Sequence, residues 1–257
     1  MTILDLFAVG LGTTWRQLVR TAKTPHLLLP LLLFPLLIFG AFIGGASAIS
    51  KAPTFDYYQY TAFVFVYVLL LGSAISGVQA GVAVAQDFES RFARRMLVST
   101  AQRAGLIIGY VITGLAQGAG VALVTFVIAL AAGMSIHGSA LDVFGLFALA
   151  AMFNIVATLW ASGIALRLRS TQAGPAMMTP ILLPMFFAPS LVPRHLLTSW
   201  LHTIADYNPL TPLIEAGRGL MAGLPVSVAL AFGIAGGLIV LMVFWGTTGL
   251  RAAVRAG

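Results

Sequence analysis

Cysteine is absent from the 257 residues and charge is scarce: 8% of the chain is Asp, Glu, Lys or Arg, against 60% hydrophobic residues. The first absence excludes a disulfide framework and any thiolate metal site. The second excludes an ordinary soluble domain, in which about 25% of residues are charged. The lysines are Lys23 and Lys51 alone, and neither follows the glycines of a phosphate-binding loop, so the chain has no such loop for nucleotide hydrolysis. No HExxH or other histidine–carboxylate cluster has metal-ligand spacing. His26, His137, His195 and His202 fall near the edges of apolar runs, where interfacial hydrogen bonding accounts for them. No acid or base sits in the middle of such a run, which argues against proton coupling through a buried carboxylate.

What is present is apolar length. Residues 24–50, 57–86, 104–141, 143–166, 170–193 and 219–250 carry no Asp, Glu, Lys or Arg. Each is long enough to cross a hydrocarbon core, which takes about 20 apolar residues in a helix. We expect an all-α membrane protein with six transmembrane helices, over 26–49, 60–85, 105–132, 143–166, 172–192 and 226–248. Ala46-Ser47-Ala48 mimics a signal-peptidase site. The run before it is about twice the length of a signal-peptide core, so the first span is read as uncleaved.

With the N-terminus inside, the cytoplasmic side holds Arg16, Arg20, Lys23, Arg91, Arg94, Arg95, Arg103, Arg167, Arg169, Arg251 and Arg255. The outside holds Lys51, Arg194 and Arg218. The positive-inside rule places both termini in the cytoplasm. The net charge of +7 flanks the spans instead of forming one patch, which points to anionic lipid headgroups and not to nucleic acid.

The segments outside the spans carry the remaining signal. Over 1–25, Arg16, Arg20 and Lys23 share one helical face, and Trp15, Leu18, Val19 and Ala22 lie opposite. That is an amphipathic helix at the membrane interface. Over 87–100, a helix would align Phe88, Phe92 and Met96 in a stripe rimmed by Asp87, Glu89, Arg91, Arg94 and Arg95. The pattern fits one half of a protein–protein contact, or a helix resting on lipid. Span five holds Pro175, Pro180, Pro184, Pro189 and Pro193, which predicts a kinked or broken helix facing an interior. Residues 194–224 are too apolar for a free loop and too polar for a span, and read as short helices dipping into the outer leaflet. Glu215 and Arg218 are spaced to pair there. Tyr67, Gln79, Gln117 and Asn154 lie inside spans. They can line a path, or bond helix to helix.

In this order along the chain, the features resemble the ABC-2 type permeases, the membrane subunits of ATP-binding-cassette exporters, and among them the daunorubicin-resistance type. The likeness rests on the six-span plan with its N-terminal helix. It rests also on Asp87 and Glu89 followed by Met96-Leu97-Val98-Ser99, and on Asn208-Pro209-Leu210-Thr211-Pro212 followed by Glu215, Arg218 and Gly219. Arg91 and Thr100 stand where the family has glycine and proline.

The resemblance implies that 87–100 is a coupling helix docking on a separate ATPase, with Asp87, Phe88, Glu89, Arg91, Phe92, Arg94, Arg95 and Met96 at the contact. Trp15, Arg16, Arg20 and Lys23 of the interfacial helix would assist. It implies external re-entrant helices over 194–224, with Asn208, Pro209, Pro212, Glu215 and Arg218 closing the pathway. The chain would be non-catalytic and bind no cofactor, with ATP and Mg held by two copies of the ATPase. A second permease, identical or paralogous, completes the unit. The aromatic, charge-poor interior suits a drug or lipid, although related permeases export polysaccharide. Abundant Ala and Gly, and Arg over Lys, suit a GC-rich bacterial genome, and the chain is expected in a bacterial cell (inner) membrane. A transporter or channel acting alone would show inverted three-span repeats, and 26–134 and 143–250 do not match convincingly. A membrane enzyme or assembly factor would need a clustered acid, base or metal site.

Overall fold

The computed structural model describes residues 3–90, 92 and 104–255. Among these, every regular element is helical. Helices α1 (Ile3–Lys23) and α2 (Pro25–Ala46) are separated by Thr24 alone. Pro25 opens α2, where its missing N–H costs nothing. Then come α3 (Tyr60–Glu89), α4 (Ala104–Ala131) and α5 (Ala140–Leu168). Ser139 and Asp142 form a reciprocal capping box at the start of α5, and Arg169 ends it in the left-handed conformation, φ 54°. A 3-10 turn (Thr171–Ala173) leads into α6 (Gly174–Phe186), followed by α7 (Ser199–Tyr207), α8 (Thr211–Ala222) and α9 (Val228–Arg255).

Among the described residues, five helices are long and apolar enough to cross a membrane: α2, α3, α4, α5 and α9. The expected span over 172–192 is not a continuous helix. Helix α6 has 13 residues, about 20 Å at 1.5 Å per residue, against a hydrocarbon core about 30 Å thick. Pro180 and Pro184 sit inside it, and Pro189 and Pro193 follow its end. Each proline denies a carbonyl one turn back its donor, and their close succession lets the helix go no further than Phe186. Other boundaries move at the ends. Helix α3 runs on through Asp87, Phe88 and Glu89, residues expected in a separate cytoplasmic helix, and α9 absorbs most of the basic tail.

Helix α3 is the hub: it is buried along most of its length, whereas little of α9 is buried. Small residues permit this enclosure. A Cβ on Gly77 would fall 2.5 Å from the Asn154 carbonyl oxygen, and one on Gly81 would overlap Ala161. These pairings advance together, so α3 and α5 are parallel. Helix α9 is parallel to α5, since Trp160 stacks on Trp245 and Arg169 reaches the Ala253 carbonyl oxygen. Helices α4 and α2 run the other way: Tyr110 meets Asp87, Phe126 meets Phe65, and Phe42 meets Tyr67. One end of the bundle, the basal end, therefore gathers Arg16, Arg20, Asp87 and Arg169. The distal end gathers Tyr57, Arg194, Glu215 and Arg218. Leu123 of α4 and Val240 and Phe244 of α9 are exposed on the outside, the arrangement expected where lipid is the solvent.

Candidate functional site

Among the described residues, the last turn of α3 gathers the polar contacts of the basal end. Asp87 is wholly buried, and a carboxylate removed from water needs paired charge and hydrogen bonds to persist. Helix α1 supplies both. Arg16 forms an ion pair with Oδ2, Gln17 Nε2 donates to the same oxygen at 2.8 Å, and Arg20 lies 3.9 Å from Oδ1. Tyr110 of α4 donates its hydroxyl to Oδ2. Phe88 is 9% exposed, with the Arg169 guanidinium 5.6 Å from its ring centroid. The Glu89 Oε1 accepts from the Thr171 backbone N–H at 2.7 Å and from its hydroxyl at 3.0 Å. Three consecutive residues thus bind α1, α4, the end of α5 and the start of the α6 segment.

Two residues of the expected docking stripe are turned into the bundle. Asp87 and Phe88 face inward, because extending α3 by one turn carries them against α1 and the end of α5. Glu89 is exposed. Phe92 lies under the Arg16 guanidinium, 3.8 Å from ring centroid to Cζ. Arg91, Arg94, Arg95 and Met96 lie outside the described residues.

Helix α1 is inside-out by soluble standards. Thr13, Thr14 and Gln17 are buried against α4 and α3, while Leu11 is 58% and Trp15 72% exposed. The Thr14 hydroxyl donates to the Gly109 carbonyl oxygen at 3.0 Å. Arg16 and Arg20 turn to Asp87, and Lys23 is exposed. An apolar face turned outward and a polar face turned to the bundle suit a lipid-bathed helix.

At the distal end the Asn208 and Arg218 side chains close the break after α6. The Asn208 Nδ2 donates to the Pro184 carbonyl oxygen at 2.6 Å, and its Oδ1 accepts from the Leu210 N–H at 3.0 Å. Arg218 is 5% exposed. Its guanidinium donates to the carbonyl oxygens of Phe63 (3.2 Å), Pro189 (2.6 Å) and Ser190 (3.1 Å), and lies 3.3 Å from the centroid of the Phe63 ring. The Tyr57 hydroxyl donates to the Arg218 carbonyl oxygen at 2.7 Å. Burial draws the Arg218 pKa down to about 9, with Tyr57 and Glu215 opposing the fall, so the side chain stays charged at neutral pH. The expected Glu215–Arg218 pair does not form: Glu215 turns outward to Arg194, 3.8 Å away, while Arg218 turns in. Burial raises the Glu215 pKa, and Arg194 and Arg218 oppose that rise. Pro209 is exposed, and Pro212 stands in the first turn of α8.

The residues expected along a path are dispersed. Tyr67 is buried beside Phe42, with ring centroids 6.3 Å apart, and Gln79 is half-buried. Gln117 donates to the Thr21 hydroxyl at 2.9 Å. Asn154 Nδ2 bonds the Ser73 and Gly114 carbonyl oxygens and the Ser76 hydroxyl at 2.8–3.0 Å, joining α3, α4 and α5. Sequence reading passes over Trp160, whose indole N–H donates to the Met177 carbonyl oxygen at 3.1 Å. Trp160 also lines an apolar cavity of about 190 Å³ between α5, α6 and α9, with Phe153, Pro180, Pro184, Leu238 and Met242. Among the described residues no cluster of His, Asp or Glu could hold a metal ion.

Residues 6–222 match the model of the ABC-2 type transporter family. The match covers most of the chain, and the chain belongs to that family. No curated protein matches it individually.

Proposed function

We propose that this ABC-2 type transporter chain is the permease subunit of an ATP-driven exporter, carrying a hydrophobic or amphipathic substrate outward. A separate ATPase, present in two copies with its ATP and Mg, supplies the energy, and a second permease subunit completes the route. The basal end faces the cytoplasm of a bacterial cell, with both termini inside. The six crossings are α2, α3, α4, α5, the α6 segment with its flanking turns, and α9. Helix α1 lies at the interface, and α7 and α8 form the external re-entrant pair.

The observation that carries this reading is the node at Asp87, Phe88 and Glu89. It binds four neighbouring elements immediately before the segment at 91–103. A push delivered there by a partner reaches α1, α4, the end of α5 and the start of the α6 segment through these contacts. Nucleotide binding elsewhere need only favour one of two arrangements of the bundle to open a path. The apolar walls of the cavity beside Trp160 favour a greasy substrate over a sugar.

The test is reconstitution in vesicles with the ATPase that co-purifies with the tagged chain. A fluorescent phospholipid and a hydrophobic cationic dye serve as probes. We expect ATP-dependent movement of at least one, and none with the chain alone. Concentrative transport by the chain alone would defeat the proposal.

A further inference from the structure

We propose that Glu89 ties the start of the α6 segment to the base of α3, so that displacement of the base of α3 is delivered to the proline-broken crossing. The inference rests on the permease reading above. Its physical basis is the way α6 is held. Along its length only Met177, Ile181 and Met185 are buried, one stripe at i, i+4, i+8. The α6 segment therefore depends on clamps supplied by other elements. Trp160 of α5 holds the Met177 carbonyl oxygen midway. Asn208 and Arg218 hold the carbonyl oxygens of Pro184, Pro189 and Ser190 at the distal end. At the basal end the clamp is Glu89, which accepts both the backbone N–H and the hydroxyl of Thr171.

Glu89 differs from the other clamps in its place in the chain. It lies two residues before the segment at 91–103, on the same turn as Asp87 and Phe88. Thr171 opens the turn that runs without a gap into α6. The Ser170 hydroxyl accepts from the Gln172 N–H at 3.2 Å, so Ser170 caps the turn from within and Glu89 caps it from another helix. A carboxylate also meets the positive end of the peptide dipoles there. Glutamine can keep a hydrogen bond at this place but not the charge, and alanine keeps neither. Glu89 is thus a positioning residue: it acts on the route by holding α6.

The test uses the full chain in vesicles with its co-purifying ATPase. The chain has no natural cysteine, so one placed at Leu183, exposed on α6, reports on that helix through its rate of maleimide labelling. With Glu89 in place, ATP plus vanadate should change that rate about five-fold or more, the range of ordinary coupling. In Glu89→Ala the change per bound ATPase should vanish while the chain still inserts and co-purifies with the ATPase. Glu89→Gln should retain part of it, and Thr171→Val, which keeps its N–H, a larger part. An undiminished response in Glu89→Ala overturns the link. So does loss of the ATPase in step with the response, which would make Glu89 a docking residue. Absence of any nucleotide response with Glu89 present would sink the permease reading and the link together.

Discussion

Each end of α3 is held by one buried charge, and the two are met by opposite means. Asp87, in the last turn, is met by two cations, an amide and a hydroxyl from α1 and α4. Arg218, beside the first turn, bonds no anion; its donors all go to backbone carbonyl oxygens. Neither charge serves α3 itself, because an anion at a helix C-terminus and a cation near its N-terminus oppose the macrodipole. Each is there for what it brings in. A counter-charge joins two separable helices and can be surrendered to another partner. A cage of carbonyls fixes the shape of one chain break and has no substitute. The basal end is therefore held by contacts between separate helices, and the distal end by contacts around one chain break.

The largest effect should come from emptying the cage. Arg218→Ala strands the Pro189 and Ser190 carbonyl oxygens and removes a fully packed side chain, so we expect a loss of about 3–5 kcal/mol. Thermal unfolding in detergent measures it. Arg218→Lys should recover less than half, since an ammonium cannot fork between three acceptors. An Arg218→Ala protein that melts with the native one would mean the distal end is not held this way.

A smaller effect is expected at the basal end, and it sharpens the contrast. Asp87→Asn keeps the shape and an acceptor for Gln17 and Tyr110 but removes the counter-charge. Arg16, 35% exposed, can turn to water, so the cost should be about 1–2 kcal/mol, between surface and buried pairs. A double-mutant cycle with Arg16→Gln should return a coupling of about 1 kcal/mol. The matching cycle of Arg218 with Glu215, which pairs with Arg194 instead, should return about 0.5 kcal/mol or less. Equal couplings at the two ends would erase the distinction.

How far these features are legible in the sequence follows from the same physics. In lipid, length and lack of charge suffice to mark a crossing, so α2, α3, α4, α5 and α9 stand out as charge-free runs. Helix α6 shares that mark in the charge-free run 170–193, but the lack of charge does not register that the helix breaks at its prolines. Its prolines are the visible sign, and they say only that something must catch the freed carbonyls, not that Asn208 and Arg218 do so. Asp87 and Glu89 are conspicuous as the acids after a long span, but their direction is hidden. A carboxylate beside arginines reads equally as a solvated rim or a buried pair. The deciding partner, Arg16, lies 71 positions away in the chain. Thr171, 82 positions from Glu89, carries no signal of its own.

The smallest predicted effect is the response to salt, and it separates the two ends without altering their chemistry. Raising ionic strength from 0.1 to 1 M shortens the Debye length from about 10 to about 3 Å. Arg16 and Arg20, 35% and 39% exposed, are open to that screening, so the attraction they exert on Asp87 should weaken by a few tenths of a kcal/mol. Arg218 is 5% exposed and its partners are dipoles in contact, which mobile ions cannot enter between. The melting gap between the native protein and Asp87→Asn should therefore narrow with salt, while the gap to Arg218→Lys stays constant. Comparing gaps cancels the general effect of salt on the detergent-solubilised bundle, which both variants share. If the two gaps narrow together, Arg218 is more open to water than its cage implies, and the two ends of α3 are held by the same kind of force.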